Sequence, residues 1–281
     1  MSTAVSENIV KVERYIGGID VIVWCNEKNT KSDTLPPVIM IHGMFGGGWY
    51  FEDWARFLCE KGFRVYVITD LHFDENLKRI SFYDYARRLG FLIKSLKNYG
   101  EIKVKPILLG HSMGGLLAQK IAEEYHPWIN GIILVASAPP KGISSMSWSV
   151  AKAMLKHLPS LVFNLPLKID KKSAFELIFN CLGGEKKKEY FLKKLVPESS
   201  IVAKQLAFSR ISIDHEKVNC KSLVIAGIYD KLLPLRSQIN IAQKYDSDYR
   251  SFLDGHMMML RDEDEMIISS IYKWIDSNFI S

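Results

Sequence analysis

Short unbroken apolar runs alternate along this chain with longer stretches whose apolar residues recur every three or four positions. Runs of the first kind lie at residues 38–41, 64–68, 104–109, 132–136 and 223–226. Strands buried on both faces have this composition. Residues 82–98 are of the second kind, with Tyr85, Leu89, Leu92 and Leu96 on one helical stripe. Residues 49–60, 116–125, 237–245 and 265–275 predict further helices, and 250–253 a last strand. Residues 10–16 and 21–24 flank Gly17-Gly18 and predict a hairpin of short edge strands. This alternation predicts an α/β fold: a mostly parallel eight-stranded sheet with helices on both faces.

The rhythm breaks between Ala138 and about Ser212. Pro139-Pro140-Lys141-Gly142 opens the segment as a turn. Helical runs at 150–156, 174–179 and 189–195 follow, interrupted by Pro159, Pro166, Gly183-Gly184 and Pro197, with no buried strand. The expected organisation is therefore a core in two parts, 1–138 and 213–281, with a helical cap inserted at 139–212.

Composition adds little until charge is divided by segment. The 281 residues are 48% hydrophobic and 24% charged, as in ordinary soluble domains. No apolar run approaches the ~20 residues of a membrane span. The first residues lack a basic stretch followed by an apolar core, so the expected location is the cytoplasm. Cys25, Cys59, Cys181 and Cys220 show no metal or redox spacing and read as buried thiols in a reducing compartment. The net charge is +6, yet residues 141–210 hold thirteen Lys and Arg against five Asp and Glu. The rest of the chain is close to neutral.

The chemistry centres on Gly110-His111-Ser112-Met113-Gly114-Gly115. A serine between two glycines, after a strand and before a helix, is the arrangement of a nucleophile elbow. Serine needs a general base, and the base an acid to orient it. Asp230 follows a buried strand in Gly227-Ile228-Tyr229-Asp230, and His256 follows the last strand in Asp254-Gly255-His256. Serine, acid and histidine then stand in the order such a sheet requires. His215 is the competing base, with no strand before it. Ile41-His42-Gly43-Met44-Phe45-Gly46-Gly47-Gly48 is a strand opening into a glycine-rich loop. It lacks the Lys-Ser/Thr ending of a phosphate-binding loop. The backbone N–H groups of Met44 and Met113 are the expected oxyanion donors.

Together these motifs resemble the α/β-hydrolase superfamily, in its serine esterase and lipase-like branch, from about Ile9 to Phe279. The glycine loop and His256-Met257 are also locally similar to plant methylesterases and hydroxynitrile lyases. The lyases carry lysine after the histidine, where this chain has Met257. Many members continue the fourth strand as Asp-x-Arg-Gly-x-Gly, whereas this chain reads Asp70-Leu71-His72-Phe73-Asp74. The resemblance implies hydrolysis of a carboxylic ester through an acyl-enzyme, with no metal or organic cofactor and no nucleic-acid partner.

Phe45, Trp148 and Met257 are the expected substrate contacts, in a pocket suited to an apolar acyl group. Trp148, Met154, Phe163, Phe175, Phe179 and Phe191 stand among the cap's lysines. Their plainer reading is aromatic packing beneath a solvated basic face. The functional one is a basic lid that favours anionic substrates or weak association with an anionic membrane surface. Amide or C–C hydrolysis, acyl transfer, and a receptor-like binding module of the same fold stay open as alternatives.

Overall fold

The computed structural model describes residues 8–28, 34–71, 76–144, 148–261 and 265–280. Within 148–156 it does not describe the side chains of Trp148, Ser149, Ala153 and Met154, so the readings of Trp148 and Met154 lie outside the described residues. Those of the extreme N-terminus and of His72-Phe73-Asp74 do too.

Eight strands form one sheet: β1 (Ile9–Ile16), β2 (Ile19–Asn26), β3 (Val38–Ile41), β4 (Val65–Ile68), β5 (Ile107–His111), β6 (Gly131–Val135), β7 (Lys221–Gly227) and β8 (Asp248–Phe252). Their order is β1-β2-β4-β3-β5-β6-β7-β8. The β1–β2 and β2–β4 pairs are antiparallel, and every pair from β4 through β3 to β8 is parallel. The expected fold class is therefore present. One detail differs: only β1 of the first hairpin lies at the edge, because β2 pairs with β4 on its other side.

Alternate residues of the central strands feed two apolar layers. Ile39, Ile41, Leu108, Ile132 and Leu134 face one, while Val38, Met40, Ile107, Leu109, Ile133 and Val135 face the other. The first layer is closed by α2 (Phe82–Asn98), α3 (Met113–Tyr125) and α9 (Leu235–Tyr245). The second is closed by α1 (Glu52–Glu60) and α10 (Met266–Phe279). The period-two strands and the helical stripes thus cover each other, which is why both faces of the sheet are dry.

Between β6 and β7 the described residues form helices and one isolated bridge pair, Leu167 with Glu198. The helices are α4 (Trp148–Lys156), α5 (Leu158–Val162), α6 (Lys171–Ser173), α7 (Glu185–Leu192) and α8 (Ser200–Ala207), with a π-helical turn at Ala174–Ile178 following α6. This insertion is tied to α2 and the turn before it by three polar contacts. The Tyr85 hydroxyl donates to the buried Glu198 carboxylate at 2.7 Å. The Ser199 hydroxyl donates to the Ile80 carbonyl at 2.6 Å, and the Phe82 N–H donates to Gln205 Oε1 at 2.8 Å.

Of the cysteines only Cys59 is fully buried. Cys25, Cys181 and Cys220 are partly exposed, which corrects the expectation of four buried thiols. Burial pushes the Cys59 thiol up to about 12. Among the described residues no helix is long and apolar enough to cross a membrane.

Candidate active site

Ser112 sits at the junction of β5 and α3 with φ 56° and ψ −119°. Four backbone hydrogen bonds hold it there. Its N–H donates to the Val135 carbonyl at 3.0 Å, and its own carbonyl accepts from Gly115, Leu116 and Ala138 at 3.0, 3.4 and 2.9 Å. The turn is tight enough to exclude side chains. A Cβ on Gly114 would lie 2.1 Å from the Ile41 carbonyl oxygen, and one on Gly43 would lie 2.7 Å from the Ser112 Cβ. Only glycine permits those approaches. The loop after β3 is thereby laid against the serine.

Asp230 and His256 reach the same end of the sheet from the ends of β7 and β8. His256 Nδ1 lies 2.8 Å from Asp230 Oδ2, and both side chains are buried. The other Asp230 oxygen accepts from the Leu232 and Leu233 N–H groups at 2.8 and 2.9 Å. The carboxylate is therefore fixed by its own turn before it meets the ring. Asp254, two residues before the histidine, instead accepts from Gly255 N–H at 2.7 Å and lies 3.7 Å from Arg261. His215, the competing base, is exposed in a 3-10 turn before β7.

Ser112 and His256 line one cavity of about 170 Å³. Met44, Phe45, His111 and Met257 line it from the core. Val150, His157, Leu161, Leu167, Ile169 and Leu177 are among the insertion's contributions. Two of the three expected substrate contacts, Phe45 and Met257, thus face the cavity. Phe45 adopts a left-handed φ of 60° and its carbonyl accepts from the Val196 N–H at 3.0 Å. Met113 is the first residue of α3, where a helix N–H has no partner within its own helix.

Three residues without an assigned role in the sequence reading join the site. The Gly43 N–H donates to the Tyr50 hydroxyl. That hydroxyl lies 3.2 Å from His111 Nδ1, and His111 Nε2 lies 3.0 Å from the His256 carbonyl oxygen. The second contact requires Nε2 to carry the proton, so Nδ1 accepts from tyrosine. Burial, with the neighbouring His256 ring, holds His111 well below the usual histidine range. It is neutral, as this chain of bonds demands. Asn180, just beyond the π-turn, is the third. Its Nδ2 donates to the Tyr229 carbonyl, and its Oδ1 accepts from the His256 N–H at 3.2 Å. One insertion residue thus bridges the acid loop and the histidine loop. Only the glycine turn and aromatic content around these positions are visible in sequence; the contacts are made by folding.

Fold and geometry together define an α/β-hydrolase. Residues 34–253 match the family described as serine aminopeptidase, S33, and the chain belongs to it. Salicylic acid-binding protein 2 of Nicotiana tabacum is 29% identical over 116 residues. That match covers 39% of this chain and 42% of the tobacco protein, so the chain spans about two fifths of that relative's length. Among solved structures, an esterase from Exiguobacterium antarcticum superposes with a TM-score of 0.69 at 18% identity, covering 95% of this chain and 100% of that one. A thermophilic esterase from Thermogutta terrifontis gives 0.68 at 19% identity, covering 96% and 99%. An extracellular α/β-hydrolase from a Paenibacillus species, described as sharing structural and functional homology with the tobacco protein, gives 0.68 at 15%, covering 88% and 100%.

Proposed function

We propose that this protein hydrolyses carboxylic esters through an acyl-enzyme on Ser112. The observation that carries this reading is a buried Asp230–His256 pair whose histidine shares a cavity with a serine on a glycine-packed turn. In the proposed cycle Ser112 Oγ attacks the ester carbonyl carbon while His256 Nε2 takes its proton. Asp230 keeps Nδ1 protonated and stabilises the resulting imidazolium. The N–H groups of Met44 and Met113 receive the oxyanion. Collapse of the tetrahedral adduct expels the alcohol, which takes the proton from His256. Water, deprotonated by the same histidine, then attacks the acyl carbon and releases the acid. None of these steps calls on a metal or organic cofactor.

The insertion acts in this reading as a cap over an apolar acyl or aryl pocket. For comparison, an engineered cavity of ~150 Å³ lined by apolar side chains accommodates benzene. The match to a family described as serine aminopeptidase raises a second reading, cleavage at a free amino terminus. A buried ammonium needs a carboxylate or several carbonyl acceptors. Among the described residues no Asp or Glu lines the cavity, and that favours a neutral ester.

The test is a fluorophosphonate probe together with a short p-nitrophenyl ester. Labelling is expected on Ser112 alone, and Ser112→Ala should lose at least ~10³-fold in hydrolysis. Labelling that persists in that variant would reject the assignment. Absence of turnover with intact labelling would favour the binding-module alternative.

A further inference from the structure

Two of the helices that wall the cavity also have an outer face. α4 and α5, with the turn between them, contribute Val150, His157 and Leu161 to the lining. Facing solvent from the same stretch, Leu155, Leu158, Val162 and Phe163 are 68%, 51%, 61% and 70% exposed. Exposed apolar residues scattered singly are ordinary, but four in one short segment form a surface that no described residue covers. Leu161, between them, is buried, so the segment is amphipathic with apolar groups on both sides. Lys204 of α8 pins it by donating to the Leu161 carbonyl at 2.7 Å and to Asn164 Oδ1 at 2.6 Å.

Charge selects the partner. Residues 148–168 include Lys152, Lys156 and Lys168 and no Asp or Glu. All three lysines are exposed, and Lys156 is paired with Asp170 at 2.8 Å. We infer that this face docks on an anionic lipid surface. The exposed leucines, valine and phenylalanine enter the headgroup boundary, and Lys152 and Lys168 meet the anionic headgroups. A second copy of this chain fits less well. A twofold contact would set lysines against lysines with no carboxylate on the segment to answer them. Because the inner side of the same helices walls the cavity, docking brings that cavity to the phase in which apolar esters dissolve. The binding itself holds whatever reaction Ser112 performs.

The experiment is co-sedimentation of the full chain with two vesicle preparations, phosphatidylcholine alone and phosphatidylcholine with about one third phosphatidylglycerol. The protein should pellet with the mixed vesicles at least ~10-fold more strongly, and added salt should release it. Lys152→Gln and Lys168→Gln should each weaken binding about fivefold. The double variant V162S/F163S should weaken it by at least ~10-fold, the loss of two apolar anchors. Melting temperature and hydrolysis of a short soluble ester serve as folding controls, since none of these four residues lines the cavity. Failure of the wild type to pellet with mixed vesicles overturns the inference. So does a V162S/F163S protein that binds like wild type. A dimer seen by sedimentation velocity, dispersed by V162S/F163S in a protein that ignores vesicles, would assign the face to a second copy.

Discussion

Tyr50 is the residue on which the glycine loop and the histidine loop depend together. Its hydroxyl accepts from Gly43 and faces His111, which in turn holds the His256 carbonyl. Tyr50→Phe leaves two buried polar groups unpaired, and the expected loss is about 1–3 kcal/mol of unfolding free energy. Turnover should fall more than KM, because the loop beside Met44 shifts while the apolar pocket survives. Denaturant titration and steady-state kinetics check both, and an unchanged midpoint would show the hydroxyl to be idle. His111 also sets a pH dependence. Its proton affinity is lowered on folding, chiefly by burial, so the unfolded chain binds the proton more readily. Its contribution to stability is therefore complete above the ordinary histidine value of ~6.5 and is lost as pH falls below it. Urea midpoints at pH 7.5 and 5.5 should differ in that direction, and His111→Gln should reduce the difference. At this scale Ser112 and Asp230 are legible in sequence because each follows a buried apolar run, β5 and β7; His256 follows the mixed strand β8 and is marked instead by its place after serine and acid. Tyr50 and Asn180 are not, because nothing local marks a side chain that reaches a loop far along the chain.

The elements were legible in proportion to how far they bury a regular stripe. α2 spans the predicted residues 82–98, helped by a capping box in which Ser81 and Asp84 satisfy each other's backbone N–H groups. β5 begins at Ile107 rather than 104, because Pro106 removes a ladder donor just before it. α5 and α8 were not predicted. Pro159 reads as a break, yet it lies in the first turn of α5, where a missing N–H costs nothing. α8 buries only Ser200 and Val202, too narrow a stripe to stand out. α7 starts a turn earlier than expected, at Glu185. Its basic run is not wholly solvated, since Lys188 Nζ lies 5.8 Å from the Phe175 ring centre. Just beyond the helix, Lys194 Nζ lies 4.6 Å from the Tyr190 ring centre and 5.5 Å from that of Trp49, whose ring stacks on Phe191 at 5.4 Å. The π-turn after α6 delivers Asn180 to the two loops. Asn180→Ala should lower kcat about tenfold on a short ester, with KM nearly unchanged, because misplacing His256, the proposed general base, by a fraction of an ångström is costly. A variant with wild-type kcat and only a lower melting temperature would reduce Asn180 to a structural contact.

Across the whole molecule, the core is nearly neutral and the insertion strongly basic. The insertion is nevertheless hydrogen-bonded to the core through Glu198, Ser199, Gln205 and Asn180. The left-handed backbone of Ser112 bears on the molecule as a whole. An L-residue held at such a conformation costs of order 1–3 kcal/mol, and that cost is drawn from the folding free energy of the entire domain. Glycine carries no such penalty. Ser112→Gly should therefore melt above Ser112→Ala, even though glycine normally lowers stability by loosening the unfolded chain. Both are expected to be inactive, so the comparison separates backbone strain from lost chemistry. If the alanine variant melts higher, the turn is relaxed. If the glycine variant does, the protein would be sturdier without the serine proposed as its nucleophile, and natural drift towards stability would run against the proposed chemistry at this one position.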